Sequence, residues 1–502
     1  MSTIVSMTGI TRRFGAVTAL DQVDLQVEAG KIHALVGENG AGKTTLMRIL
    51  YGGLDADAGV IEVEGQSRHF RNSAEAIASG IGMVSQHYSI IPELTCLQNL
   101  MLGAEPGLWI AERDAEARAT ELATRMGFEF SWRAPAGSLS PAGAQKLEIL
   151  KLLWRQARIM ILDEPTAMLS PADGDALFVS LKQLAAEGDT IILVTHRLPE
   201  VLQHCSHVTV LRGGRNVAHA AIGEHETPDA AQLAAWIVGH EVPEVQIEAV
   251  APGKPVLEIR SLRVRGDRGE EAVKGISLRL HEGEVVGLAG VDGNGQRELF
   301  QALIGVGTVL EGSVLLDGRD VTRDGPVERL RQGVRLIPED RHEEGVVEDW
   351  SLELNAALGL QRLEPLRSGL WVDVGERRAL AGAIAERFRT KHGGLGLPMR
   401  SLSGGNQQRF VAARALALKP RVILAFQPTR GLDIEGTLAV YAALRETCRR
   451  EGVCAIVVSF DLDELLEQCD RVVAINGGAL FEPKPGEERD RAAIGRLMVG
   501  AA

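Results

Sequence analysis

The chain has 502 residues, more than a single hydrophobic core sustains, so at least two domains are expected. Apolar residues make up 45% and charged residues 24%, ordinary values for a globular protein, and the net charge of −13 comes without a basic tract, which argues against nucleic acid as a partner. Uninterrupted apolar runs stay short, as at 159–162 and 455–458, well below the ~20 residues of a membrane-spanning helix. The segment Met1–Gly9 lacks the basic-then-apolar layout of a secretory leader, so a cytosolic chain is expected unless another chain holds it to a membrane. Cys96, Cys205, Cys448, Cys454 and Cys469 form no CxxC pair and no metal-like spacing, and read as reduced thiols.

In chain order, Ile32–Val36 reads as a short strand and Lys43–Leu54 as a helix with Leu46, Ile49, Leu50 and Leu54 as its apolar positions. Between them runs Gly37-Glu38-Asn39-Gly40-Ala41-Gly42-Lys43-Thr44, with Thr45 next, which fits the phosphate-binding loop pattern without a mismatch. Its glycines let the backbone curl until successive N–H groups face one point, and the helix start adds the positive end of its dipole. Lys43 would neutralise the β- and γ-phosphates of ATP, and Thr44 would hold Mg²⁺. Further on, Ile159–Leu162 suits a strand buried on both faces, and it ends in two carboxylates, Asp163 and Glu164. Buried acids are costly unless they meet a cation or a proton, so Asp163 is expected to face Mg²⁺ and Glu164 to polarise an attacking water.

The pattern then returns. EAGKIHALVGENGAGKTTLMRILYG at 28–52 recurs as HEGEVVGLAGVDGNGQRELFQALIG at 281–305, while 137–153 recurs at 400–416 and 158–170 at 421–433. An offset of roughly 250–265 residues is too long for a solenoid unit and marks a duplicated domain. Glu241–Pro255 carries three prolines and no helical apolar period, which predicts halves of 1–242 and 256–502 joined by a linker over 243–255. Each half alternates short β-branched runs with longer helical patterns, the mark of an α/β domain with a parallel sheet covered by helices.

The succession of phosphate loop, Gln86, signature segment, Leu162-Asp163-Glu164-Pro165 and His196 resembles the ABC ATPases, and the resemblance covers essentially the whole chain, twice. It implies two tandem P-loop NTPase domains, each with a helix-covered, mainly parallel sheet, an antiparallel β subdomain and a helical subdomain. It also implies that Gln86 contacts Mg²⁺ and water, that His196 holds the γ-phosphate and that Phe14 stacks on adenine. Taken alone, a phenylalanine such as Phe14 is more often a core residue.

The second half departs from the pattern at every chemical position. Gln296 and Arg297 stand for Lys43 and Thr44, Phe426 and Gln427 for Asp163 and Glu164, Phe460 for His196, and Glu339 for Gln86. A phenyl ring ligates no metal and an amide is no base at neutral pH, so this half should not hydrolyse ATP in its own pocket; its glycines (Gly290, Gly293, Gly295) leave nucleotide retention open. Its signature, by contrast, is whole: Leu402-Ser403-Gly404-Gly405-Asn406-Gln407, against Leu139-Ser140-Pro141-Ala142-Gly143 in the first half. Proline removes a backbone donor, and alanine puts a methyl where the backbone must approach phosphate closely. In ABC dimers the signature of one half covers the phosphate loop of the other. By that resemblance all intact parts fall into one composite site and all damaged parts into the other, with Asp433 on the intact side and Ser170 opposite it.

GVDGNGQ at 290–296, LIPEDRHEEGVV at 336–347, QPTRGLD at 427–433 and DEPTAMLSP at 163–171 together look like the ATP-binding subunit of bacterial importers for nucleosides and simple sugars, nucleoside-type members most of all. That resemblance implies two integral-membrane permease subunits as partners, an extracytoplasmic substrate-binding lipoprotein acting indirectly, and residence at the cytoplasmic face of the membrane. The apolar loop after Gln86, HYSIIPEL, either packs on its own domain or, as the resemblance implies, forms part of the groove that receives a permease helix. A twin-cassette ATPase acting on the ribosome is the alternative; that class usually has two competent sites and a long charged linker, and this chain has neither.

Overall fold

The computed structural model of the chain describes all residues except 1, 16, 86–88, 105–111, 140, 167–168, 170, 196, 224–226, 241–252, 267–268, 292, 370, 499 and 501–502, and the side chains of 141–142, 171–172 and 368. It divides into two units, Met1–Pro243 and Glu244–Ala502. Most of the segment expected as a linker lies outside the described residues. No helix among the described residues is long and apolar enough to cross a membrane.

The first unit opens with β1 (Thr3–Phe14) and β2 (Val17–Glu28), paired antiparallel. Next come β3 (Ile32–Gly37), α1 (Lys43–Leu50), β4 (Ala58–Val63) and β5 (Gln66–Arg68). The order β2-β1-β4-β5 makes an antiparallel sheet of four strands. After α2 (Ser73–Ala78) and β6 (Ile81–Val84), the chain enters a helical region of α3 (Cys96–Met101), α4 (Glu112–Arg125) and α5 (Pro141–Trp154). It returns through β7 (Ile159–Asp163), α6 (Pro171–Ala186), β8 (Thr190–Val194), α7 (Leu198–His204), β9 (His207–Arg212), β10 (Arg215–Ala221) and α8 (Ala230–Val238). The second sheet runs β10-β9-β3-β8-β7-β6 and is parallel apart from the β9–β10 pair.

Every residue of β3, β7 and β8 is buried, as strands covered on both faces require. Leu35, Ile161 and Ile192 share one core with Leu46 and Leu50 of α1 and with Val5 and Met7 of β1, so the helix that follows the phosphate loop is anchored to both sheets. The helix is shorter than the apolar spacing predicts. It stops at Leu50 because Gly52 turns to φ 69°, and a Cβ there would press 2.6 Å from the Asn72 carbonyl oxygen. Leu54 lies beyond the helix yet still packs on the same core.

The second unit repeats the plan. β11 (Pro255–Arg265), β12 (Glu271–His281), β13 (Val285–Ala289), α9 (Gln296–Ile304), β14 (Thr308–Leu316) and β15 (Arg319–Asp320) match the first six elements in order. Then come α10 (Pro326–Arg331), β16 (Val334–Ile337), α11 (Leu352–Ala357), a short hairpin of β17 (Arg367–Ser368) and β18 (Trp371–Val372), α12 (Val374–Arg387) and α13 (Gly404–Ala415). β19 (Val422–Phe426), α14 (Ile434–Glu451), β20 (Cys454–Val458), α15 (Leu462–Gln468), β21 (Arg471–Asn476), β22 (Ala479–Phe481) and α16 (Arg491–Met498) complete it. Its sheets run β12-β11-β14-β15 and β16-β19-β20-β13-β21-β22, the latter parallel except for β21–β22.

Candidate functional site

The loop between β3 and α1 is held open by glycine geometry. Gly37 sits at φ 154° and Gly42 at φ 102°; a Cβ at Gly37 would lie 2.2 Å from the Leu211 carbonyl oxygen, and one at Gly42 would lie 2.7 Å from that of Ala19. Side chains at either position would push the loop off both neighbours. Gly40 also has positive φ, and Ala41 closes the inner turn by donating its N–H to Glu38 O at 3.0 Å. Glu38 is half-buried, Asn39 and Gly40 are exposed, and Thr45 is half-buried behind the exposed Thr44.

Lys43 is buried, and its ammonium donates back to the loop, to Gly37 O at 2.7 Å and Glu38 O at 3.0 Å. Burial lowers its pKa, and the carboxylates of Glu164, Asp163 and Glu38 oppose that shift. A buried cation resting on two carbonyls at the mouth of an N–H-lined turn is set to exchange those contacts for an anion.

Asp163 ends β7 with its side chain buried, and Thr44 Oγ1 donates to its Oδ2 at 3.3 Å. Burial and the neighbouring charge of Glu164 push its pKa up to about 6, against the pull of Thr44 and Lys43. A carboxylate this poorly compensated fits a divalent cation: Mg²⁺ is commonly held by one or two side chains plus substrate phosphate oxygens, and the Thr44–Asp163 pair supplies that number. No cluster of three or more His, Cys, Asp or Glu side chains suited to a metal occurs among the described residues, so nothing competes with this pair as a full protein cage. Glu164 follows at φ 50°, a strained left-handed turn, with its N–H donating to Val194 O at 2.8 Å.

Gln86 and His196 lie outside the described residues. Phe14, at the end of β1, is 48% exposed with the Arg12 guanidinium 5.0 Å over its ring. It is therefore a surface aromatic, against the bare expectation of a core phenylalanine, and its face is shared with a cation.

Sequence reading overlooked a buried asparagine in each half. Asn99 Nδ2 donates to the carbonyls of Ile91, Leu94 and Thr95, and its Oδ1 accepts the Ile91 N–H. Asn355 does the same for Val347, Trp350 and Ser351. Each pins the loop that leaves the Gln86 or Glu339 position. The available signal was an asparagine recurring at the matching place in the two halves, in LQNL and ELNA.

In the second half the same backbone carries different contents. Gln296 Nε2 donates to Val291 O at 3.0 Å, so an amide takes the resting place that the ammonium has in the first half. Arg297, at the Thr44 position, pairs with Glu344 at 2.8 Å. Phe426 is buried, edge-on to Phe300 at 5.7 Å and to Phe460 at 6.2 Å. Phe300 and Phe426 belong to the core of this unit, with the half-buried Phe460 packed against it, and each fully buried phenylalanine contributes roughly 1.5–3 kcal/mol. Gln427 Nε2 is buried without a hydrogen-bond partner. A cavity of about 240 Å³ lined by Arg297, Phe300, Glu339 and Phe426 is left beside them. Lost ligands have become packing.

The signature segment of this unit forms the start of α13. Ser403 caps the helix through Oγ, accepting the Asn406 N–H at 3.4 Å, and is itself exposed, with Gly404, Gly405 and Asn406 half-buried. Gln407 turns inward to the carbonyls of Met399 and Leu402. Asp433 caps α14 through the Gly436 N–H and pairs with Arg409 at 2.9 Å. In the first unit α5 begins at Pro141, which removes one donor from the corresponding turn.

The family model described as ABC transporter matches residues 20–167 and 273–430. The chain is 40% identical to a glucose import ATP-binding protein of Haloferax volcanii, covering 98% of this chain and 95% of that protein. It is 37% identical to a nucleoside import ATP-binding protein of Lactococcus lactis, covering 99% and 98%. It is 35% identical to a guanosine import ATP-binding protein of Bacillus subtilis, covering 100% and 98%. Two family matches, one on each unit, and relatives aligned over nearly their whole length give one conclusion: the chain belongs to the ABC transporter family, as a two-cassette ATPase.

Proposed function

We propose that this chain is the ATP-hydrolysing motor of an importer for nucleosides or simple sugars, with one hydrolytic centre built from the phosphate loop of the first half and the signature turn of the second. The observation that carries this reading is the partition of the chemistry. Lys43, Thr44, Asp163 and Glu164 stand together on one unit, their counterparts on the other are Gln296, Arg297, Phe426 and Gln427, and the glycine-bearing signature belongs to that second unit. Random decay would scatter losses over both.

In this reading Lys43 leaves its two loop carbonyls for the β- and γ-phosphates, and the loop N–H groups, from Gly37 to Thr45, hold the triphosphate. Thr44, Asp163 and Gln86 would hold Mg²⁺, which when bound supplies neutralisation of the phosphate charge. Glu164 polarises the attacking water, His196 steadies the γ-phosphate, and Phe14 offers a face to adenine. The N–H groups of Gly404 and Gly405, with the Ser403 hydroxyl and then Asn406, close over the phosphates from the other half, and Gln407 braces the turn from inside. Differential affinity for ATP then drives closure.

Import as the coupled work is supported by the names of the full-length relatives, which cover both cargo classes. GVDGNGQ at 290–296 and QPTRGLD at 427–433 favour nucleosides within that range. The partners are two integral-membrane permease subunits, which hold the chain at the cytoplasmic membrane face, and a binding lipoprotein acting through them. The test is reconstitution of the chain with its permeases in vesicles loaded with ATP. Uptake of labelled ribonucleosides or monosaccharides that stops with Glu164→Gln supports the reading; turnover without uptake of either class overturns the import role.

A further inference from the structure

The signature turn of the second unit has a cation packed on it. Arg341 follows β16, and its guanidinium lies so close to Gly404 that a Cβ there would be 2.8 Å from Nη2; its Nη1 is 3.9 Å from where a Cβ of Gly431 would be. The side chain thus spans the signature turn and the segment leading to Asp433. Its Nε is buried with no hydrogen-bond partner. The neighbouring acids are engaged elsewhere: Asp340 Oδ1 accepts the N–H groups of His342 and Glu343, and Glu348 Oε1 pairs with His342 Nδ1 at 2.8 Å. Burial holds the Arg341 guanidinium below the ordinary arginine range, Asp340 and Glu348 oppose this, and the charge of Arg430 adds to it.

A guanidinium packed on the N-terminal turn of a helix meets the positive end of its dipole, and an arriving anion relieves that cost. A bidentate guanidinium suits a terminal phosphate better than a bridging one, since it can pair with two oxygens of one phosphoryl group. We propose that Arg341 is a γ-phosphate-binding residue of the composite site, contributed by the second half together with Ser403, Gly404 and Gly405. This rests on the reading that the second half's signature meets the nucleotide held by the first. It also gives Gly404 a local reason: any side chain there would displace the guanidinium.

The test is steady-state ATP hydrolysis by the full chain, with ADP as competitive inhibitor. Arg341→Ala should raise the KM for ATP about 10- to 100-fold, the scale of one lost charged hydrogen bond, while the inhibition constant of ADP, which lacks the γ-phosphate, moves less than twofold. Arg341→Lys should recover part of the loss. Should the alanine variant melt early, Arg341→Gln, shorter but still polar and uncharged, gives the same two readouts. An unchanged KM for ATP, or an equal weakening of ATP and ADP, overturns the assignment. Ser403→Arg run in parallel separates the two failures: if it silences turnover while Arg341→Ala changes nothing, this inference alone is lost; if turnover survives Ser403→Arg, the composite site is lost with it.

Discussion

Glu164 and Gln427 hold the same uncommon backbone conformation. Their φ angles are 50° and 49°, and each donates its N–H at 2.8 Å to the next strand, to Val194 O and Val458 O. A non-glycine residue in this region costs about 1–3 kcal/mol, and both halves keep the strain although only one keeps the carboxylate. The bend belongs to the end of the strand; the chemistry belongs to the side chain alone.

Glu164→Gln should therefore fold as the wild type does, since glutamine already occupies the equivalent bend at 427. ATP should still bind, and turnover should fall about 10²- to 10⁴-fold. Steady-state hydrolysis beside nucleotide binding decides this, and a rate near wild type removes Glu164 from its role.

Gln427→Glu should create no second centre, because Phe426 and Gln296 remain at the ligand positions. Total turnover should stay within twofold; a doubled rate contradicts the account. Phe426→Ala should destabilise the second unit by about 3–5 kcal/mol in urea unfolding, because the ring is wedged between Phe300 and Phe460.

Asp163 has a folded pKa of about 6 against 3.8 for the unfolded carboxyl. A raised acid penalises the fold where it must ionise: the cost is absent below 3.8, where both states are protonated, and complete above 6. Asp163→Asn should then stabilise the nucleotide-free chain at pH 7.5 by up to about 2–3 kcal/mol, an advantage that shrinks as pH falls toward 5. With MgATP the order should reverse. Melting curves across this range check both signs, and a pH-independent difference would refute the burial argument.

His33 is fully buried, bonded through Nε2 to Thr209 Oγ1 at 2.8 Å and stacked with His207 and His219 at 6.0 and 5.7 Å. Burial, with the charges of His219 and His207, lowers its pKa to about 3. The unfolded imidazole gains its proton from about pH 6.5 downward while the folded one does not, so stability is lost between those values as pH falls. At pH 5 the loss is about 2 kcal/mol. His33→Gln should flatten this acid limb in denaturation experiments; an unchanged slope between pH 6.5 and 5 counts against it.

Asn99→Ala should cost about 1–3 kcal/mol, since the Ile91 N–H loses its acceptor while the carbonyls of Ile91, Leu94 and Thr95 each keep a backbone donor. Urea unfolding reads the loss, and a change under 1 kcal/mol would mean water replaces the amide. Asn355→Ala should behave alike in the second unit.

Much of this protein was legible in the linear chain. The duplicated landmarks, the glycine-spaced loop before Lys43 and the apolar run ending in Asp163 and Glu164 are local patterns, and local patterns carry their own physics: glycine for a curled backbone, full burial for a central strand. What neighbours do to one another needed the third dimension. The early end of α1 comes from Gly52 meeting Asn72, the raised pKa of Asp163 from burial beside Glu164, and the exposure of Phe14 from its place at the end of β1. Sequence declared Phe426 unfit to hold a metal; only folding showed that it packs between Phe300 and Phe460, and that Arg341 lies against Gly404, far along the chain. Side-chain chemistry is written residue by residue, but charge, burial and contact are properties of pairs, and pairs exist only after the chain has folded.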